Sequence, residues 1–362
     1  MKRRLATLIL VITLAAAVLS GCSGSKVTYE DGVDTYIFTD DYGREVELRS
    51  DIRTIVGSGP NTQMILCTLA PDMLAGLNSA PSTEQERFYP PEFQDMPTLG
   101  QFYGSKTSLN IENLIKVSPD LIIDIGERKE DGEKDMDSIQ EQTGIATIYL
   151  EAGLDSYDKM YKKLGRILGR EDKAKRLAAY CKETSDMADK AAAKIRNKKK
   201  VYFGVSSSGL NANANGSVQA DVLAKIGAVN AITLNEDEIN GMDGGNPVGF
   251  EVVYKADPDV IVWGPDSPYD DVLKDSKKSQ WGKLRAIRNG EYYEAPGEPY
   301  SWMSSPPSVN QVLGIRWLGN IVYPEEFKLD IEKDAKEFYK LFYDYDLSSK
   351  ELTKLLSRSH KK

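Results

Sequence analysis

The folded part of the chain opens with an alternation of apolar and polar positions. This alternation runs through Tyr36 to Thr39 and Glu45 to Leu48, on either side of the polar turn Asp40 to Gly43, and predicts a β-hairpin. The next apolar run, Thr54 to Gly57, is followed by a loop and by a helical pattern over residues 62–69. Strand, loop and helix in this order predict the start of an α/β lobe.

Two later segments repeat one pattern, 139 residues apart. Ile111 to Ile123 and Phe250 to Val262 share Glu, Lys, Pro, Asp and Ile in register, and most other positions keep their polar or apolar character. Each segment predicts a short helix that stops before proline and leads into a buried strand of a parallel sheet. The repeat favours two similar lobes; the alternative is a common helix-to-strand connection that arose twice by chance.

A helical stripe lies between these two segments. Small and apolar residues recur there at spacings of three and four, with charged residues between them: Ala174, Leu177, Ala178, Cys181, Ala188, Ala191, Ala192 and Ile195. A helix from Glu171 to Arg196 has a length of about 39 Å, which is enough to cross from one lobe to the other. Lobes joined by a single stiff helix are expected to move only modestly.

The N-terminus has the pattern of a secretory signal, because Lys2 to Arg4 precede an uncharged run from Leu5 to Leu19. This run spans about 22 Å as a helix, less than the roughly 30 Å of a bilayer core. It ends in Leu19-Ser20-Gly21-Cys22, which resembles the lipobox of bacterial lipoproteins and implies cleavage before Cys22 and its lipidation. The alternative is an ordinary secretory signal that is cut nearby.

These patterns divide the chain into five parts. We predict a lipoprotein signal peptide over residues 1–21, the lipidated cysteine and a flexible stalk over 22–35, an N-terminal α/β lobe over 36–154, a helical segment with the inter-lobe helix over 155–198, and a C-terminal α/β lobe with terminal helices over 199–362. Two lobes agree with the length of 362 residues, since one hydrophobic core seldom serves so long a chain.

Charge and composition exclude several function classes. The 46 basic and 55 acidic residues give a net charge of -9, which argues against nucleic acid as a partner. The single histidine, His360, lies in a lysine-rich tail, so neither Ser-His-Asp catalysis nor histidine-ligated zinc is expected. We therefore predict no enzyme, no intrinsic cofactor and no protein-ligated metal. The alternatives to a binding protein without catalytic activity are an exported hydrolase that uses carboxylates and an adhesive lipoprotein.

The order of these features resembles one class of ABC-transporter substrate-binding proteins. The lipobox, the hairpin, the twin Pro-Asp strands, the crossing helix and the late segment Trp281 to Ile287 carry the resemblance, which covers residues 37 to 345. Proteins of this class capture iron-siderophores, haem or cobalamin, and a few bind molybdate or tungstate. The resemblance implies two Rossmann-like lobes with mainly parallel sheets, one long crossing helix and a ligand cleft between the lobes.

The same resemblance implies the partners and the location. It implies a monomer, lipid-anchored at the outer face of the bacterial cytoplasmic membrane, that delivers a small ligand to an ABC permease dimer with its cytoplasmic ATPase. We expect the ligand to be a chelated metal complex, with an oxyanion as the alternative. Direct binding of free zinc or manganese is disfavoured because a pocket histidine is lacking.

The ligand-binding residues are expected in loops that follow the strands of each lobe. In the N-terminal lobe, Asn61 and Thr62 start a helix, where they contact an anion or simply cap the helix. Tyr103 lies in a later loop of the same lobe. Arg128 follows the strand Leu121 to Ile125 and faces the cleft or belongs to a solvated charge cluster.

The C-terminal lobe contributes two candidate loops. The first carries Asn211, Asn213 and Asn215, whose alternate spacing directs their amides to one side if the stretch is extended; otherwise it is a flexible turn. The second carries Tyr300, Trp302 and Met303 between prolines, which suits a bulky ligand face; the alternative is packing beneath the loop.

Glu112 and Glu251 are the acidic members of the repeat, each seven residues before its proline. In the resembled class, a glutamate at this position on each lobe docks into an arginine-lined pocket of a permease subunit. The resemblance therefore implies permease docking for both residues. The alternative is a solvated acid that favours its own helix start.

Overall fold

Short parallel sheets form the centre of each lobe in the computed structural model, which describes residues 27, 29–30, 32–102, 107–234, 244–304 and 306–360. In the N-terminal lobe, β3 (Ile55–Gly57), β4 (Leu121–Gly126) and β5 (Thr147–Glu151) pair in parallel in the order β3-β4-β5. The predicted hairpin is confirmed as β1 (Thr35–Thr39) and β2 (Glu45–Arg49). The helices of this lobe are α1 (Pro60–Leu69), α2 (Ile111–Val117), α3 (Gly132–Thr143) and α4 (Tyr157–Ile167).

The sheet of the C-terminal lobe has the order β11-β10-β6-β7-β9, with β8 paired to β6. Its strands are β6 (Lys200–Val205), β7 (Asn211–Ala212), β8 (Val229–Asn230), β9 (Asn246–Pro247), β10 (Val260–Trp263) and β11 (Tyr292–Glu294). The pairs that join β6, β8, β10 and β11 are parallel, whereas β7 is antiparallel to its neighbours. The helices are α6 (Asp221–Lys225), α7 (Phe250–Ala256), α8 (Tyr269–Asp275), α9 (Arg285–Arg288), α10 (Gln311–Val322), α11 (Pro324–Phe327), α12 (Ile331–Tyr343) and α13 (Ser349–Leu356). The predicted class, two α/β lobes with mainly parallel sheets, is confirmed.

The predicted crossing helix is α5, which spans Glu171–Ala192 and so ends four residues before the predicted Arg196. Beyond Ala192 the chain tightens, because the N–H groups of Lys194 and Ile195 bond to carbonyls three residues back. Helix α5 packs on α4 in the N-terminal lobe and on α10 in the C-terminal lobe. Gly165 of α4 allows a close approach, since a Cβ there would lie 2.4 Å from the Cβ of Ala174.

The sequence repeat is also a structural repeat. Helices α2 and α7 have seven residues each and end at Ser118 (φ 45°) and Asp257 (φ 44°), both in the left-handed region. After each proline an aspartate binds the start of a neighbouring strand: Asp120 accepts from the Thr54 N–H at 2.9 Å, and Asp259 accepts from the Lys200 N–H at 2.9 Å. Each pair of helix and strand is therefore fixed by the same contacts.

The described residues form three clusters of buried apolar side chains, of which the largest runs through both lobes and the other two lie one in each lobe. The largest cluster includes Ile123 and Tyr161 of the N-terminal lobe, Leu177 of α5, and Val201 and Leu313 of the C-terminal lobe. Cys67 and Cys181 are buried free thiols. Among the described residues, no helix is both long and apolar enough to cross a membrane.

Arg316 of α10 connects three helices inside this core. Its guanidinium donates to the Thr184 hydroxyl at 2.7 Å, to the Glu183 carboxylate at 2.9 Å and to the Asp334 carboxylate at 3.3 Å. It also lies 4.5 Å from the ring centroid of Tyr180. Burial raises the pKa of Asp334, and the charge of Arg316 opposes that rise.

We expect Arg316→Ala to lower the free energy of unfolding by about 3 kcal/mol, because it leaves Asp334 buried without its cation. Urea unfolding followed by circular dichroism measures this change. Arg53→Ala is the matched control, since the Arg53 side chain is 77% exposed and its loss should change stability by less than about 0.5 kcal/mol. Equal effects of the two substitutions would contradict the role of Arg316.

Candidate functional site

A cavity of about 450 Å³ lies between the lobes, at the carboxyl ends of β3, β4 and β5. We call it the central cavity. The N-terminal lobe lines it with the loops after these strands, and the C-terminal lobe lines it with the start of α6 and the segment that leads into α10. Its polar and charged lining residues are Ser58, Asn61, Thr62, Gln101, Asp124, Glu127, Arg128, Lys129, Asp135, Tyr157, Gln219, Asp221, Ser308 and Gln311.

Thr62 forms part of the cavity wall, but its hydroxyl is used by the protein. The Oγ1 atom accepts from the Ile125 N–H at 2.9 Å and lies 3.3 Å from the Ile125 carbonyl, so it ties α1 to the end of β4. The Ser58 hydroxyl similarly donates to the buried Asp124 carboxylate. These side chains fix the shape of the cavity.

Asn61 joins the two lobes directly. Its Nδ2 donates to the Pro307 carbonyl at 3.1 Å, and the Ser308 hydroxyl donates to the Asn61 carbonyl at 3.2 Å. The start of α1 therefore contacts the segment before α10, at the edge of the central cavity.

The two cations of the cavity are both held by groups of the chain. Arg128 lines the cavity, yet its guanidinium donates to the Asp41 carbonyl at 2.5 Å and lies 4.8 Å over the ring of Tyr42. Lys129 lies 3.4 Å from the Asp124 carboxylate. Arg128 therefore lines the cavity, in a position fixed by the hairpin turn.

Carboxylates from both lobes face the same cavity. Glu127 follows β4, and Asp221 starts α6. Burial raises the pKa of Glu127, and the Glu151 carboxylate adds to the rise. Burial also raises the pKa of Asp221 to about 6, with further repulsion from Glu127 and Asp155. The cavity is therefore acidic rather than cationic among its described residues.

Two predicted ligand contacts lie in the core instead of the cleft. Trp302 is 1% exposed and Met303 is fully buried. The Trp302 indole N–H donates to the Tyr339 hydroxyl at 3.3 Å, and its ring packs edge-on against Trp317 at 6.4 Å between centroids. The proline-rich loop turns these side chains onto α10 and α12, which corrects the expectation that they cover a ligand.

The three asparagines do not share one wall. Strand β7 has only two residues, so the expected alternation stops after Ala212. Asn213 is 1% exposed, and Asn215 is exposed with its N–H bonded to the Ile232 carbonyl. Asn211 lies elsewhere, with Tyr300, in a second cavity between the lobes.

This second cavity has a volume of about 560 Å³, and we call it the outer cavity. Ser82, Glu84 and Gln85 line it from the N-terminal lobe, opposite Asn211 and Tyr300. The structure thus places Asn61, Thr62 and Arg128 at the central cavity. Asn211 and Tyr300 lie at the outer cavity. Tyr103 and Cys22 lie outside the described residues.

Several cavity residues were not predicted as contacts: Asp124, Tyr157, Gln219, Asp221 and Gln311. Gln101 and Glu127 lie in the loops where ligand contacts were expected. The loop after β5, which leads to Tyr157, could have been found because β5 lies in the same parallel sheet as β3 and β4. Gln311 is the first residue of α10, and nearly all residues of this helix are buried, so its apolar sequence pattern indicates core packing rather than ligand contact.

Glu112 and Glu251 are exposed and occupy the second position of α2 and α7. The start of α2 is bonded near Gln101, a central-cavity residue, because the Asn110 N–H donates to the Leu99 carbonyl. The start of α7 is bonded next to the turn after β6, where the Val248 N–H donates to the Leu210 carbonyl. Both helices end at the amino ends of strands, so both glutamates lie toward the cleft side of their lobes.

A family model described as periplasmic binding protein matches residues 68–299, which is more than half of the chain. The chain belongs to the periplasmic binding protein family. An ABC transporter solute binding protein from Sulfurospirillum deleyianum is similar in structure, with a TM-score of 0.79 and 26% identity over 89% of this chain and 99% of that one. A periplasmic solute binding protein from Veillonella parvula has a TM-score of 0.72 and 22% identity over 90% and 98%.

Among curated proteins, the Fe(3+)-citrate-binding protein YfmC of Bacillus subtilis is 21% identical over 312 residues, which cover 83% of this chain and 92% of YfmC. The predicted family resemblance is confirmed, and the chain is a substrate-binding protein of the periplasmic binding protein family.

For this periplasmic binding protein we expect Asp221→Asn to increase stability at pH 7 by about 1 kcal/mol. The raised pKa of Asp221 means that the wild type loses stability as the pH rises from about 4 to about 6, where the folded carboxyl gives up its proton; water screens the exposed part of the group and reduces the effect.

Unfolding free energies of the variant and the wild type at a series of pH values measure this difference, which should vanish near pH 4. Asp95→Asn, at an exposed position, is the control and should show no such pH dependence. Equal unfolding free energies of Asp221→Asn and the wild type at every pH would contradict the raised pKa of Asp221.

Proposed function

We propose that this periplasmic binding protein is the substrate-binding component of an ABC importer and that its ligand occupies the central cavity. The observation that supports this site is its position at the carboxyl ends of the parallel strands β3, β4 and β5, where both lobes contribute polar side chains to a cavity of about 450 Å³. That volume lies in the usual range for sites that hold a drug-sized ligand, roughly 300 to 1,000 Å³. Binding without turnover is expected, since the family to which the chain belongs consists of substrate-binding proteins.

We propose a hydrophilic iron chelate of siderophore size as the ligand. A tetrahedral oxyanion fills only a fraction of the cavity, and the hydroxyls of Ser58 and Thr62 are already bonded within the protein. A haem requires apolar faces, whereas Trp302 and Met303 are buried in the core. The similarity to the Fe(3+)-citrate-binding protein YfmC supports iron as the metal.

Gly126 and Gly153 line the cavity, and a Cβ on either residue meets no atom within 4 Å, so a side chain can leave the backbone there without a clash at its first carbon. We expect Gly126→Phe to weaken ligand binding at least about tenfold, since the ring occupies ligand space. Titrations with ferric siderophores, ferric citrate, haem, cobalamin and molybdate measure this loss for whichever probe binds the wild type.

Gly244→Phe is the matched control, because Gly244 lines the outer cavity and its Cβ would also meet open space. Ligand affinity should be retained in this variant. A loss confined to Gly244→Phe would move the site to the outer cavity. Tight binding of molybdate alone would establish an oxyanion as the ligand.

We further propose that Cys22 carries a lipid that holds the protein at the outer face of the bacterial cytoplasmic membrane, and that Glu112 and Glu251 dock onto the permease. Both glutamates are exposed at equivalent positions of α2 and α7, on the cleft side of their lobes. Docking through both residues places the cleft over the partner. Complementary charges on the permease would guide this encounter and set its register.

We expect Glu112→Arg with Glu251→Arg to abolish uptake of the ligand in cells, while ligand affinity stays within about threefold, because charges at the rim act on association with the partner. Radiolabelled uptake and titration of the purified protein measure the two effects separately. The control is Glu133→Arg with Glu332→Arg, which reverses exposed acids in the first turns of α3 and α12. Normal uptake by the first double variant would exclude docking through these residues.

A further inference from the structure

The large apolar side chains that the described residues expose are concentrated on two short helices. Eight such side chains are exposed: Tyr36, Ile37, Ile111, Ile115, Val229, Val252, Tyr254 and Leu273. Four of the eight lie on α2 and α7, which together have only fourteen residues. Clustered exposed apolar side chains do not stabilise a surface that faces only water, whereas they are typical of a surface that binds a partner.

Two of these side chains are equivalent in the structural repeat. Ile115 of α2 and Tyr254 of α7 are 139 residues apart, the spacing of the repeat, and are 53% and 54% exposed. Each follows its glutamate by three positions, since Ile115 follows Glu112 and Tyr254 follows Glu251. Residues three apart lie on the same face of a helix, so each lobe presents a carboxylate beside an apolar group.

The side of each helix that packs on its lobe is not the side that carries the glutamate and the apolar group. The buried residues of α2 and α7 include Leu114 and Val253, which point into their lobes. Because the helix starts lie toward the cleft side, the pair on α2 and the pair on α7 are available to one partner that covers the cleft.

We propose that Ile115 and Tyr254 are the apolar contacts of the permease interface, each entering a pocket that also receives the neighbouring glutamate. This inference rests on the proposed importer function. A surface displayed twice, once on each lobe, fits a partner with two equivalent receptor sites, such as a two-fold symmetric permease. The carboxylates steer the encounter, and the buried side chains slow dissociation.

The test uses the full chain in membranes of the organism that carries it. Benzoylphenylalanine replaces Ile115 or Tyr254, and the cross-linked partner is identified after irradiation by mass spectrometry. We expect both positions to cross-link to polytopic permease subunits, whereas benzoylphenylalanine at Ile37, which is 61% exposed outside the two helices, should not. Cross-links to another copy of this chain, or none to a permease at either position, would overturn the proposal.

A second measurement does not depend on the photoreactive group. Binding of the purified protein to the identified permease complex in nanodiscs should weaken about tenfold or more in Ile115→Ser with Tyr254→Ser. Ile37→Ser with Val229→Ser is the control for lost apolar surface and should bind as the wild type does. Circular dichroism checks that all variants are folded.

The outcomes separate this inference from the proposed docking glutamates. If charge reversal at Glu112 and Glu251 blocks uptake while the serine variant binds normally, the apolar contacts are excluded and the importer function stands. If neither double variant affects binding to the permease, the docking role of the glutamates and the apolar contacts are both contradicted.

Discussion

The buried contact of α5 with both lobes is the constraint on which the rest of the structure depends. Its apolar stripe belongs to one cluster of buried side chains that includes Ile123 of one sheet and Val201 of the other. Arg316 adds polar contacts between α10 and the same helix. Opening the lobes widely would break this shared core. The cleft is therefore a largely preformed site, and ligand binding does not have to organise it.

A preformed cavity places its polar groups before the ligand arrives, and some of them cost stability. Ser58, Thr62 and Arg128 are held by hydrogen bonds within the protein, so they define shape. Asp221 differs, because burial and the nearby carboxylates raise its pKa to about 6. A carboxyl group that lowers stability in this way is expected at a position where ligand binding, rather than packing of the core, selects the residue type.

Much of the fold could be predicted because it depends on local patterns. Alternation identified the hairpin β1–β2, spacing of apolar residues identified α5, and the Pro-Asp repeat identified β4 and β10. The site was only partly predictable. Asn61 and Arg128 were found because loops after parallel strands meet at one edge. Trp302 was misplaced because packing on α10 and α12 sets the direction of its side chain, and no local pattern records that packing.

The proposed iron chelate binds between the lobes, at the ends of β3, β4 and β5. Anomalous diffraction at the iron edge, from crystals of protein purified with its endogenous ligand, tests it most directly. We predict one anomalous peak inside the central cavity, between Gly126 and Asp221, with the chelate contacting both lobes. A peak in the outer cavity, or density for a small oxyanion without iron, would contradict it.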